Sequence, residues 1–231
     1  MKVVRFTTEG LINSFRVPQT STHQLTYLAP TKTNIVGMIS SIMGKGEDYY
    51  YQLLKNIKVG IIPVEIDSLF TDAWTFRKWK DAGSGRDILK REKLYKTKYV
   101  IYISCDDDLR AEIFDSLKNP LRIPSLGMDD ELVLIRGVEE IEMEKVESDR
   151  VHSIFQFCEE MSFTPIFGEF KGMQIFPPRI ATINLDFNTK KVPRKPEKFI
   201  QIVEFAGLYC ELDSKKMFFV DQEKKYNVEM L

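Results

Sequence analysis

The chain has 231 residues, 33 Lys and Arg against 34 Asp and Glu for a net charge of −1, and 43% hydrophobic residues. That is the profile of a globular protein able to bury a core in one elaborated domain or two small ones, without disulfides or metal. The even charge balance excludes a histone-like cationic coat but not nucleic acid, since binding depends on where charge sits. No apolar run of about 18 residues and no signal-peptide core occur, so a membrane span or export is not expected and a cytoplasmic location is. Cys105, Cys158 and Cys210 are far apart with no CxxC spacing, and only His23 and His152 could join them. No metal site and no cofactor is expected.

Lys2 to Thr8 alternates apolar and polar residues and predicts the first strand. After a polar loop from Pro18 to His23, Pro30-Thr31 opens a helix in which Ile35, Met38, Ile39 and Ile42 share a face and Gly44 stops it. A short helical piece, Tyr49 to Leu54, leads into a second strand, Lys58 to Phe70, at an edge or bulged because of Pro63. The third strand is Tyr95 to Ser104. Asp106-Asp107-Asp108 caps a second helix that ends before Pro120. Glu131 to Met143 fits a fourth strand interrupted near Gly137. The order β-α-β-β-α-β is that of the ferredoxin-like fold, shared by RNA-recognition modules, and makes the fold class α+β. Beyond Asp149 short aromatic-rich strands are expected at Lys171 to Phe187, Phe199 to Leu212 and Lys216 to Val220. A loop from Lys190 to Lys198 is expected between them, because Pro193 and Pro196 forbid a central strand there. The expected division is therefore 1–148, a ferredoxin-like domain, and 149–231, a β-rich C-terminal region.

Charge is segregated along the chain. From Trp74 to Lys98 nine basic residues face three acids, and from Asp129 to Glu160 eleven acids face three bases. The basic segment carries both tryptophans, Trp74 and Trp79, and turns at Gly83-Ser84-Gly85, as a β-hairpin arm at 74–98 would. Arg77, Lys78, Lys80, Arg86, Lys90 and Arg91 interleaved with indoles suit a nucleic-acid backbone, because cations neutralise phosphates while rings stack on splayed bases. Tryptophans tucked into a core, or cation–π pairing within the hairpin, would also account for the pattern.

Thr31, Lys32, Thr33 and Asn34 put free backbone donors, hydroxyls and a lysine in one helical turn, an anion site; capping alone also explains the threonines. Lys32 opposes the macrodipole, which a bound phosphate would offset. In Asn119 to Asp130, Gly127 would let the backbone approach a ligand and Arg122 adds charge. His23, beside Tyr27 and Lys32, is a candidate general base for metal-free RNA cleavage, or a histidine that contacts only RNA or solvent.

Three segments carry a family resemblance: FR.P after the first strand, APTKTNIVGMISSIMG as a helix entered through proline, and P..IPSLGMDDELV before the fourth strand. Together with the element order they resemble CRISPR-associated protein family five, of the RAMP superfamily, over the first 145 residues or so. The resemblance implies a ferredoxin-like domain with a hairpin "thumb" at Trp74 to Lys98. It implies a non-catalytic subunit of a type I CRISPR surveillance complex (Cascade) that holds the 5′ handle of CRISPR RNA. The partners implied are the family seven backbone and family eight large subunits, with the target duplex near its recognition motif a possible further contact. Carried onto this sequence, the handle-binding helix entrance is Thr31 to Asn34 and the loop is Ser125 to Met128; with the residues read above, the expected RNA-binding set is Arg16, His23, Tyr27, Thr31, Lys32, Asn34, Arg122, Ser125, Gly127 and Met128. The alternatives are a metal-independent endoribonuclease acting on precursor RNA through His23, and a protein-interaction module whose basic hairpin meets an acidic surface.

Overall fold

The computed structural model describes residues 1–20, 22–77, 85–168, 174–189 and 194–231. The first part of the chain gives β1 (Lys2–Asn13), β2 (His23–Gln24), α1 (Lys32–Ile42), α2 (Glu47–Asn56), β3 (Lys58–Arg77), β4 (Arg86–Ser104), α3 (Asp107–Lys118) and β5 (Val133–Glu142). The remainder is all strand: β6 (Glu144–Val151), β7 (Phe155–Gln156), β8 (Phe163–Ile166), β9 (Phe176–Asn188), β10 (Lys195–Ala206), β11 (Tyr209–Asp221) and β12 (Tyr226–Val228). The fold is α+β and strand-rich, with three helices among the described residues.

Alternation along β1 separates two layers. Val4 and Phe6 enter one apolar core with Ile35, Ile39 and Ile42 of α1, Leu53 of α2 and Ile113 of α3. Val3 faces the other way, into a second core with Val100, Tyr102 and Val228. Antiparallel pairing places β1 between β4 and β5, with β3 outside β4, and β2 runs parallel beside the outer half of β4. β7-β10-β9 form a second sheet, whose Ile183 and Ile202 join the helical core. β12-β11-β6 form a third, with β8 added to β11.

The free edge of β3 is sealed by the C-terminal part of the chain. Val59 exchanges backbone hydrogen bonds with Leu231, Ile61 accepts from the Ile154 N–H, and Pro63 from the Gly207 N–H. Pro63 sits at this edge and at a register shift between Pro63 and Glu65, as its missing donor requires. The fourth strand also breaks where expected. β5 carries one extra residue opposite Arg5–Thr7, and Gly137 there has φ +57°.

Several expected bounds are corrected. β1 runs on to Asn13 because its polar end is paired internally: the Asn13 amide donates to the Leu126 carbonyl at 2.7 Å and accepts from the Thr97 hydroxyl at 2.7 Å. β3 and β4 do not stop at Phe70 or begin at Tyr95; they stay paired out to Arg77–Arg86, so the arm continues the two strands. The helical piece at Tyr49 is a full helix starting after Gly46, with Glu47 and Asp48 in its first turn. Phe199 to Leu212 is two strands, divided at Gly207 with φ +73°, and β11 absorbs Lys216 to Val220. β10 begins at Lys195, inside the expected loop; β7 reaches only Ile202 and Val203, so Pro196 lies on an open edge. β6 was hidden in the acidic segment, where Arg150 pairs with Glu211 of β11 at 3.1 Å. Lys171 to Met173, and Lys190 to Pro193 of the expected loop, lie outside the described residues.

A buried ionic cluster ties the first sheet to the third. Arg5, 2% exposed, pairs with Asp221 at 2.7 Å and with Glu139 and Glu223, while the Tyr102 hydroxyl donates to Asp221 at 2.8 Å. Burial pushes the Asp221 carboxyl up, but hydrogen bonds from Arg5, the Lys224 N–H and Tyr102 outweigh it and hold it below the usual range. A depressed folded-state pKa means that this stabilisation is full above the unfolded value of about 4 and is lost as pH falls below it. Asp221→Asn is expected to cost about 3 kcal/mol at neutral pH, because Arg5 loses its one fully buried partner. The variant's melting temperature should fall less than the parent's between about pH 4 and pH 2; equal acid sensitivity in a calorimetric pH series would remove Asp221 from this role.

Candidate nucleic-acid interface

The entrance to α1 is fixed from below by a carboxylate. Glu204 on β10, fully buried, accepts from the Leu28 N–H at 2.8 Å, the Ala29 N–H at 3.4 Å and Arg179 at 2.8 Å. The Tyr99 hydroxyl donates to the Leu28 carbonyl at 2.8 Å. Burial pushes the Glu204 carboxyl up, opposed by Arg179 and the two backbone donors. Pro30 then turns the chain into α1. The Asn34 side-chain oxygen accepts from the Thr31 N–H at 3.0 Å and the Thr31 hydroxyl at 2.7 Å, so these two residues largely satisfy one another.

The second wall is the loop before β5. Glu131, 3% exposed, accepts from the Ser14 N–H (2.7 Å), the Ser14 hydroxyl (2.6 Å) and the Met128 N–H (3.0 Å). Gly127 has φ +113°, and a Cβ there would stand 2.5 Å from the Ser14 carbonyl and 2.2 Å from the Glu131 carboxylate. Gly127 is thus required for the close approach of this loop to the end of β1 and its clamp.

Between the walls lies a cleft of about 560 Å³. Thr33, Asn34 and Gly37 of α1 line one side, and Arg122, Ser125 and Gly127 the other. Tyr50 of α2 and Arg194 close the rim. Arg194 donates to Glu47 at 3.2 Å and to the Tyr51 hydroxyl at 3.0 Å, and its guanidinium lies 4.9 Å from the Phe187 ring centre. Sequence reading missed Tyr50 and Arg194. The only local signal was the Arg-Lys pair between Pro193 and Pro196, which marks a loop and not a site.

The arm is two-faced. Phe70, Asp72, Trp74 and Phe76 share one face with Lys93, Arg91, Leu89 and Asp87, their cross-strand partners. The Arg91 guanidinium lies 4.1 Å and the Lys93 ammonium 5.1 Å from the Trp74 ring centre, while the indole N–H donates to Asp72. Arg91 is 8% exposed and donates to Gln24 at 2.8 Å. Lys93 is 3.6 Å from Glu131, Lys96 pairs with Asp67 and Lys98 with Glu9. Much of the segment's positive charge is thus neutralised at the arm's base.

A family model described as CRISPR-associated protein (Cas_Cas5) matches residues 3–163. The chain belongs to the Cas5 family. It is similar to a CRISPR protein from Archaeoglobus fulgidus at a TM-score of 0.59 and 10% identity, covering 99% of this chain and 98% of that one. It is also similar to a chain of a CRISPR RNA-guided surveillance complex, at 0.50 and 17% identity, covering 87% and 89%. At these identities the likeness is one of fold. A third structure, described as a Cas protein, is covered over 58% of its length by 56% of this chain, at 17% identity and a TM-score of 0.41, and carries no argument. No curated protein matches the chain.

Within this Cas5 protein the cleft gathers Asn34, Arg122, Ser125 and Gly127 of the expected RNA-binding set. Others are placed elsewhere. Tyr27 is 4% exposed and donates its hydroxyl to the Thr182 carbonyl; burial, then Glu204, pushes its pKa up to about 12. Lys32 does not line the cleft; burial lowers its pKa, with the Asp186 carboxylate opposing that shift. Trp74 and Arg91 are occupied with one another in the arm. Thr31 is buried as the helix cap, and Met128 is half-buried with its N–H on Glu131. Arg16 is exposed beside Thr26, and His23 is exposed beside Lys90. Among the described residues no hydrogen bond or ion pair joins His23, Tyr27 and Lys32. Arg77, Arg86 and Lys90 are exposed on the arm, and Lys78, Trp79, Lys80, Gly83 and Ser84 lie outside the described residues. Those residues also hold no group of three His, Cys, Asp or Glu fit for a metal, and no helix long and apolar enough to cross a membrane.

Gly127→Ala is expected to cost about 3 kcal/mol, combining left-handed strain with the clash on Ser14. Gly137, also at positive φ but with nothing within 4 Å of an added Cβ, should cost only about 1 kcal/mol as Ala. Equal midpoints for the two variants in urea would refute the clamp.

Proposed function

We propose that this Cas5 protein is a non-catalytic RNA-binding subunit of a type I CRISPR surveillance complex, and that it caps the 5′ handle of CRISPR RNA in the cleft between α1 and the Gly127 loop. The carrying observation is that two segments some ninety residues apart in sequence, Thr33–Asn34 and Arg122–Gly127, form facing walls of one polar cleft. Hydroxyl, amide and guanidinium donors suit a ribose-phosphate chain. The strand order β3-β4-β1-β5 supports reading residues 1–148 as a ferredoxin-like RAMP domain, with 149–231 as the β-rich region packed on it. The outer β3–β4 arm is the thumb, whose exposed Arg77, Arg86 and Lys90 face the family seven backbone subunit and the guide. The family eight subunit and the duplex beside the target are further contacts in this reading, and a cytoplasmic site of action goes with it. Base pairing would carry target specificity, leaving this chain to read a fixed handle.

RNA recovered from the purified complex should share one 5′ sequence; heterogeneous 5′ ends would defeat the capping role. Arg122→Ala should flatten the log–log salt dependence of handle binding by about 0.7, one single-strand phosphate. Lys32→Ala should leave that slope unchanged, because Lys32 does not line the cleft.

Replacing residues 76–87 by a short Gly-containing turn should leave a folded protein that no longer co-elutes with the backbone subunit and guide. The cut spares Trp74, Arg91 and Lys93, which hold the base of the arm. Normal co-elution on size exclusion would sink the thumb assignment.

A further inference from the structure

We infer that Arg194 is a stacking plate for one unstacked RNA base in the cleft, and so an RNA-contacting residue supplied by the C-terminal part of the chain. The inference rests on the reading of the cleft as an RNA site. The Arg194 guanidinium is tethered through one nitrogen to Glu47 and the Tyr51 hydroxyl, and lies 4.9 Å from the Phe187, 5.8 Å from the Tyr50 and 5.9 Å from the Tyr51 ring centre. Its side chain nevertheless remains 47% exposed, at the rim of the cleft. A guanidinium packed on aromatic rings and tethered at its edge has lost most of its rotamer freedom before any ligand arrives. What remains available is a flat cationic face, which suits the π-face of a base better than a lone phosphate.

The cleft's other side chains fit the rest of such a nucleotide. Arg122, exposed on the opposite wall, is free to take the phosphate, while Ser40, Ser41, Ser125 and Asp129 offer hydroxyl and carboxylate partners for a base edge or a 2′-hydroxyl. Lys45 also lines the cleft but is held by Glu112 at 2.8 Å, so it is a poorer phosphate ligand than Arg122. A volume of about 560 Å³ is in the range that holds one small ligand, not a folded duplex.

The test uses the handle RNA recovered from the complex, resynthesised with one abasic position at a time, and anisotropy titrations of wild type, Arg194→Ala and Arg194→Lys. Arg194→Ala should weaken intact handle by about 5- to 150-fold, the span for loss of one base stack. One abasic position should weaken wild type by a similar factor and Arg194→Ala hardly at all, the non-additivity of a shared contact. Arg194→Lys should not rescue, and the salt slope should stay within about 0.3 of wild type, since less than one phosphate contact is lost. If every abasic penalty is the same in wild type and Arg194→Ala, the stacking role falls while the handle reading stands. If wild type binds no handle RNA, both fall. If free nucleoside monophosphates bind the cleft as tightly as the strand does, the occupant is a small nucleotide and the assignment to RNA is overturned. Circular dichroism melts of each variant separate loss of a contact from loss of the fold.

Discussion

The ladder between β3 and β4 is the constraint on which the remaining architecture rests. It is unbroken in direction from Lys58–Ser104 to Arg77–Arg86, yet it passes through two environments. Near Ile61 and Ile101 both strands are buried, and the ladder lies between packed layers. Beyond Leu69, whose partner Leu94 is still in the core, the ladder leaves the core, and burial of apolar area no longer holds it. There the cross-strand pairs do so: Trp74 under Arg91 and Lys93, Asp72 on the indole N–H, and β2 laid along Lys90 and Arg91. Aromatic and ionic pairs of this kind contribute of order 0.2–1 kcal/mol each, enough in series to keep a projecting ladder in register.

The cleft is built on the same economy of buried charge. Glu204 lies on β10 and Glu131 in the loop before β5, and each aims a buried carboxylate at backbone N–H groups of a segment that has no secondary structure of its own. Glu131 fixes the loop around Gly127, and Glu204 fixes the approach to α1. Both loops would otherwise carry unpaired donors into low dielectric, each costing about 1–3 kcal/mol. The two acids therefore do for the walls of the cleft what hydrogen-bonded ladders do for strands.

Local chemistry was readable where one residue's preference decides the outcome. Asp106 caps α3, accepting from the Leu109 N–H at 2.9 Å, and Pro63 and Gly137 mark the breaks in β3 and β5. Function-bearing arrangements depend on residues far apart, and there local reasoning failed. Tyr27 looked available because Thr182, whose carbonyl takes its hydroxyl, lies more than a hundred positions away. The α1 and Gly127 segments could be chosen from their turn chemistry, but Arg194 and Tyr50 could not. Nothing in either neighbourhood records that β9 will bring Phe187 beneath the guanidinium.

The seal on β3 bears on how the protein avoids its own aggregation. Val59, Ile61 and Pro63 point main-chain groups outward at the margin of the first sheet, and their partners come from Leu231, Ile154 and Gly207. A fragment cut after β5 would retain a hydrophobic sheet with that row bare, a template for strands of neighbouring copies. The same closures join very distant parts of the chain and are entropically expensive to form early. The most adhesive margin of the sheet is therefore expected to be the last to be covered during folding, and it is the stretch where transient protection by another molecule would matter most.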